Sequence, residues 1–324
     1  MIVPWDPRYA SGVIALWNKE AVQIGYKELT DASFRRIFTD NPYFDSHCTF
    51  VWLENGAVKG FACGCTGDDL PLGKVAGYLT CIVLAAELST EAAYKAMLEA
   101  VEQRFRELGK TQSEILFFNP MHLPWYIPDT PGHEHNNAPG VPVDSKLYPF
   151  LLGQGYRERT RECAMYLPLA GFVIPEDVRM KEAKAEQEGY RVEWYDRNKH
   201  GGVGEMLAAL GNPLWEREIG QCTREGVPVV IAAYQGNAVG FAGPVVRQDN
   251  GRGYFAGIGV HPAHEGHGLG TVLFFRLCEA LRKVGAEYMS LYTGSTNPAR
   301  RIYEKAGFRA VREFAVMRKE FGQG

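Results

Sequence analysis

The run Val260-His261-Pro262-Ala263-His264-Glu265-Gly266-His267-Gly268-Leu269-Gly270 holds the residue types in this chain best suited to binding chemistry. Closely spaced glycines let the backbone turn so that successive amides converge on one point. A helix that begins at such a turn adds the positive end of its dipole. Together these features hold a phosphate or a pyrophosphate. Glycine spacing alone is a weak signal, and the competing expectation is a structural turn without a ligand. His261, His264 and His267 lie along this turn rather than around a ligand cavity, so their spacing predicts no metal site.

The surrounding elements are those needed to position such a turn. Tyr254 to Val260 is short, apolar and rich in strand formers. Behind the turn, Leu269, Leu273, Leu277, Ala280, Leu281 and Val284 recur at helical spacing, with Arg276, Glu279, Arg282 and Lys283 on the other side. Val227 to Tyr234 and Ala238 to Ala242 flank Gln235-Gly236-Asn237, which is hairpin chemistry. Tyr288 to Tyr292 reads as a further strand. Asn297 to Phe308 reads as a short helix with proline near its start and glycine past its end, and Arg309 to Lys319 as a last strand.

In this order and spacing, the chain from about Tyr190 to its C-terminus resembles the GNAT acetyltransferase superfamily. The resemblance implies a strand at Ile258, Gly259 and Val260 whose free backbone groups bind the pantetheine arm of acetyl-CoA. It implies that the amides of Gly266, His267, Gly268, Leu269, Gly270 and Thr271 cradle the pyrophosphate. By the same resemblance, Tyr303 protonates the departing CoA thiolate and Asn297 contacts the cofactor. The chain departs from the family pattern at two places. Glu265 stands where the family usually carries Arg or Gln. Thr296 stands seven residues before the tyrosine, where asparagine is common, and Asn297 follows it.

The implied reaction is transfer of acetyl to a primary amine by direct attack in a ternary complex. An amine of lysine type, with a pKa of about 10, must first lose a proton. The oxyanion formed on attack needs a preorganised donor, which a strand amide can supply. No covalent enzyme intermediate is required, so no cysteine need be a nucleophile. Glu216, Glu218, Tyr254, His261 and Tyr292 remain unranked candidates for the general base. Two rivals stand beside this reading: an acyl-CoA-binding sensor or interaction protein without turnover, and a transferase for a different acyl group.

The chain of 324 residues predicts two domains, and its 46% hydrophobic content suffices for two cores. A net charge of −3 with no basic run argues against nucleic acid as a partner. No apolar run is long enough to span a bilayer, which predicts no membrane partner. Seven cysteines in no disulfide or metal framework fit a reducing, cytoplasmic setting. The expected partner is a small-molecule amine, with no metal cofactor; assembly as a homodimer is left open.

The first half reads as a faded copy of the second. Glu54-Asn55-Gly56-Ala57 mirrors the Gln235-Gly236-Asn237 hairpin tip, Val75 to Leu84 the central strand, and Thr90 to Leu108 the helix behind it. Ile115 to Phe118 reads as a strand, and Leu151 to Tyr156 aligns with Tyr303 to Phe308. The copy lacks the glycines: Ala85-Ala86-Glu87-Leu88-Ser89-Thr90-Glu91 stands in place of the turn, and Leu151 in place of Tyr303. The expected fold class is therefore α/β (α+β), two tandem GNAT-like domains, each with a mixed, mostly antiparallel sheet flanked by helices. The expected boundaries are 1–170 for a degenerate domain, 171–189 for a linker helix and 190–324 for a catalytic domain. Residues 119–146 form a long segment rich in histidine and aromatics, read equally as an acceptor pocket and as a proline-rigid surface loop.

Overall fold

The computed structural model describes residues 1–117 and 119–322. The chain forms two compact units: Met1–Ala164 together with Val311–Gly324, and Met165–Ala310. The helix Glu176–Gln187, read from the sequence as a linker, belongs to the second unit, and the end of the chain belongs to the first.

In the first unit the strands Ile2–Pro4, Phe44–Glu54, Ala57–Cys65, Ala76–Leu84 and Gln112–Ile115 are neighbours in that order. All pair antiparallel except the last two, which run parallel. The residues from Val311 onward of the strand Arg309–Glu320 continue the sheet antiparallel to Gln112–Ile115, with Met317 opposite Ile115. The hairpin tip is Asn55-Gly56, both at positive φ (50° and 80°), as a tight two-residue turn between twisted strands requires. The helix Glu91–Glu107 packs Met97, Leu98, Val101 and Phe105 on the sheet. Thr90 caps it, its hydroxyl accepting from the Ala93 amide at 3.2 Å.

In the second unit the order is Tyr190–Trp194, Val230–Tyr234, Asn237–Gly243 and Gly257–Val260, all antiparallel. The short strand Arg252–Gly253 pairs parallel with the strand Tyr288–Gly294. The hairpin tip Gln235-Gly236 repeats the positive φ pair at 49° and 80°. The helix Leu269–Lys283 buries Leu269, Val272, Leu273, Leu277 and Leu281, as its periodicity predicts. The helices Val203–Leu210 and Pro213–Glu225 cover Ile231 and Phe241 with Met206, Leu207 and Ile219. Each unit is thus a mixed, mostly antiparallel sheet with helices against it, the tandem architecture that the repeat implies.

Three local expectations change. The strand expected from Tyr254 is confined to Gly257–Val260, because the Tyr254 and Ala256 amides turn away to bond Val246 and Gly243 carbonyls. The strand expected at Ile115 to Phe118 lies instead at Gln112–Ile115; Phe118 itself falls outside the described residues. Its buried members Gln112, Ser113 and Glu114 are polar, so apolar patterning does not find them. Ser113 is matched by the Tyr156 hydroxyl at 2.7 Å and Glu114 by Arg318. The segment 119–146 carries small strands at Trp125–Tyr126 and Glu134–His135. Met121, Leu123, Trp125 and Ile127 are core residues, and Trp125 meets Phe314 edge-on at 5.0 Å. This part of the long segment is packed structure rather than an open aromatic pocket.

Candidate functional site

The strand Gly257–Val260 pairs on one side only, with Gly240 to Gly243. It ends its sheet, and among the described residues its other edge has no strand partner. Ile258, Gly259 and Val260 therefore present backbone groups to a ligand. Gly259 is required for packing as well, because a Cβ there would lie 2.7 Å from Leu210 Cδ1.

After Val260 the chain makes a short turn of 3-10 helix, Pro262–His264. It then passes Gly266 and Gly268 at φ of 84° and 74°, a region only glycine enters cheaply. The helix Leu269–Lys283 begins there with no side-chain cap. Its first turn closes with the Val272 amide on the Gly268 carbonyl at 3.3 Å. Among the described residues, the amides of Gly266, His267, Gly268, Leu269, Gly270 and Thr271 have no acceptor. Orphan amides at a helix start are normally satisfied by a cap, water or a ligand. The equivalent helix of the first unit satisfies its own through Thr90 and places Glu91 in its first turn. One helix start is closed by its own sequence; the other is open.

The histidines on the turn are held rather than free. The ring of His267 bonds Glu188 and stacks on Tyr190 at 4.8 Å between centroids. His264 Nδ1 shares a hydrogen bond with the Tyr190 hydroxyl at 3.1 Å, and His261 Nδ1 accepts from the Ala263 amide. Burial, then the neighbouring His261 and His267, lowers the His264 pKa, so the neutral ring is favoured. Among the described residues no group of three His, Cys, Asp or Glu side chains is placed to hold a metal ion.

One cation beside the turn is absent from the sequence reading. A Cβ built on Gly268 would lie 3.7 Å from Cδ of Lys181, on the helix Glu176–Gln187. Glu182 anchors that helix, its carboxylate taking two bonds of 2.7 Å from the Arg276 guanidinium of Leu269–Lys283. Sequence gave no signal for Lys181, since a charged helix reads as a solvated face.

Tyr303 lies on the short helix Arg300–Lys305, its ring packed by Phe255, Phe274 and Phe308 at 6.2, 4.8 and 6.1 Å. Burial pushes its pKa up to about 12, so the hydroxyl keeps its proton at neutral pH. Asn297 serves locally: its Oδ1 accepts from the Ala299 amide at 2.9 Å and starts the turn into that helix.

The five candidates for a proton acceptor separate. Glu216 is exposed on the helix Pro213–Glu225. Glu218 lies on the face that Trp215 directs toward the strand entrance, where the Trp215 indole bonds the Ala256 carbonyl at 3.1 Å. Burial and a hydrogen bond with Glu218 raise the Tyr254 pKa, which joins these two residues and sets them apart from Glu216. Tyr292 lies near the buried Arg252, whose charge it favours.

This arrangement defines a class of protein: an open-edged strand feeding a glycine turn and an uncapped helix, the frame of a CoA-dependent acyltransferase fold. Residues 186–308 match the model of the acetyltransferase (GNAT) family. No curated protein matches the chain. Among solved structures, a GCN5-related N-acetyltransferase from Sphaerobacter thermophilus superposes with a TM-score of 0.63 at 16% identity, covering 100% of this chain and 96% of that one. A tandem GNAT protein from the clavulanic acid biosynthesis pathway gives 0.59 at 14% identity, covering 100% and 99%. The glucosamine N-acetyltransferase region of a fungal multi-domain β-N-acetylglucosaminidase gives 0.67 at 13% identity. There 98% of this chain is covered, but the chain spans only 38% of that protein's length. The chain belongs to the GNAT superfamily through its segment 186–308, and as a whole it has the tandem GNAT fold.

Proposed function

We propose that the unit Met165–Ala310 transfers the acetyl group of acetyl-CoA to a primary amine, and that the N-terminal unit does not bind acetyl-CoA. The observation that carries this reading is the run of amides from Gly266 to Thr271 without acceptors, at a helix start with no cap. It fits a pyrophosphate in charge and in hydrogen-bond sense. Acetyl-CoA supplies the activated thioester when bound. Ile258 to Val260 align its amide-bearing arm along their open edge, and Lys181 adds the positive charge that Glu265 does not provide. The amine loses a proton toward the Glu218–Tyr254 pair, a C–N bond forms and the C–S bond breaks. Tyr303 gives its proton to the sulfur and regains one from solvent. Burial favours this role by keeping that proton in place at neutral pH.

The N-terminal unit differs where the nucleotide would lie. Thr90 has taken the amide that a phosphate needs, and Glu87, paired with Lys59, puts a carboxylate at the turn. Calorimetric titration of acetyl-CoA into the full chain should give one site. Two sites would refute the inactive first unit, and none would refute acetyl-CoA as donor. With one site found, a panel of amines followed by release of free CoA thiol identifies the acceptor. A saturable site with no turnover across aliphatic, aromatic and amino-sugar amines would favour a binding protein.

A further inference from the structure

The parallel strands Ala76–Leu84 and Gln112–Ile115 pair only from Ala76 to Tyr78. Beyond that point they separate, and the gap is a cavity of about 360 Å³ wholly within the first unit. Its volume lies inside the range of small-molecule sites, about 300–1,000 Å³. Its walls are mostly apolar, formed by Ile82, Leu84, Ile115, Val141, Pro142 and Leu147. The proposed acetyl-transfer reaction does not use it.

Its charged groups are unequally placed. Glu20 ends the helix Ala10–Glu20, where the carbonyl end of the dipole already favours a cation. Its Oε1 is buried and receives no hydrogen bond. Lys19 is its nearest cation at 3.4 Å, but the Lys19 side chain is 68% exposed, so solvent screens the pair. Asp144, also on the wall, is held by Arg312 at 2.7 Å. Lys146, the one cation of the lining, is exposed. The inner carboxylate therefore still wants a donor, and a buried acceptor left without one is costly. A positively charged donor is attracted twice, by the carboxylate and by the helix end.

We propose that this cavity is a second ligand site, for a primary amine with an apolar tail: the ammonium bonds Glu20 and the tail fills the gap between the strands. A nucleotide-bearing thioester does not suit it, because the adjoining helix start is closed by Thr90.

The test is calorimetry on the full-length chain with octylamine, octan-1-ol and octanoate, three probes of one tail length. Octylamine should bind one site about tenfold more tightly than octanol, with octanoate weakest. Glu20→Gln should lower octylamine affinity to that of octanol. Ala86→Trp, at an exposed wall position, should abolish binding of all three. Thermal melting identifies either variant that fails to fold, and Ser89→Trp serves in place of Ala86→Trp in that event. Octanoate binding as well as octylamine would overturn the assignment of charge. Octylamine binding undiminished in both variants would overturn the site. Loss of an acetyl-CoA binding event in Ala86→Trp would make the cavity a cofactor cleft and overturn it too, while leaving transfer at the other unit to be judged by its own titration.

Discussion

Gly268 and Gly270 occupy the same turn yet offer different experiments. Gly268 sits at φ 74°, so any side chain there strains the backbone before it meets a ligand. Gly270 is helical, and a Cβ on it would find only Val260 Cγ2, at 4.0 Å. Gly270→Glu should therefore leave the melting temperature nearly unchanged while weakening acetyl-CoA by roughly 100-fold, the effect of a like charge against the pyrophosphate. Undiminished binding in calorimetry would remove the turn from the site. Tyr303→Phe keeps the aromatic packing and removes one proton; kcat should fall by about 10²-fold with KM for acetyl-CoA little changed. With the hydroxyl pKa raised to about 12, the native state favours the protonated phenol. Its stabilising contribution is full below the unfolded tyrosine value near 10 and disappears as pH rises through 12. The wild-type rate should accordingly show no alkaline loss from Tyr303 below about pH 10, and a loss centred near pH 8 that is absent in Tyr303→Phe would contradict this. The roles of the glycines and of Tyr303 could be read from residue type and spacing. That of Lys181 could not, because nothing in a run of helical charges says which one lies over a glycine far along the chain.

At the level of elements, the helix Glu176–Gln187 is tied to the helix that bears the turn. The two-bond pairing of Glu182 with Arg276 fixes the register in which Lys181 comes beside Gly268. Lys181→Ala should weaken acetyl-CoA about fivefold, roughly 1 kcal/mol for a solvent-exposed charge, with stability unaltered. Glu182→Ala should cost about 1–2 kcal/mol in chemical denaturation, less than a fully buried pair because Arg276 is partly exposed. It should also produce part of the Lys181 effect on affinity. Equal acetyl-CoA affinity in both variants and wild type would leave the helix with a packing role alone. Hairpins and amphipathic helices were legible because turn glycines and apolar periodicity are local signals. The strand Gln112–Ile115 was not, since its buried Gln112, Ser113 and Glu114 are tolerated only through partners distant in sequence.

For the whole molecule, the repeat of hairpin, central strand and helix already implies two similar units, and the missing glycines distinguish them. The division itself follows contacts. The chain from Val311 completes the sheet of the first unit, where Arg318 meets the buried carboxylate of Glu114 and Lys319 bonds Glu102 at 2.7 Å. Burial raises the Glu114 pKa against the opposing pull of Arg318. Arg318→Ala should thus destabilise the protein by about 2–3 kcal/mol, below the usual cost of breaking a fully buried pair because Arg318 is partly exposed. Unchanged denaturation would show that Glu114 is neutral in the native state. What the sequence by itself determined was the set of elements, their order, the tandem repeat and the glycine turn, since each depends on residues close together along the chain. Only the tertiary structure decided that six amides stay without acceptors while Thr90 closes their counterpart, that Lys181 and Glu218 come beside the site, and that two strands part around a cavity. Those outcomes depend on which groups meet in space, and hydrogen-bond satisfaction, burial and charge pairing are settled only when the chain has folded.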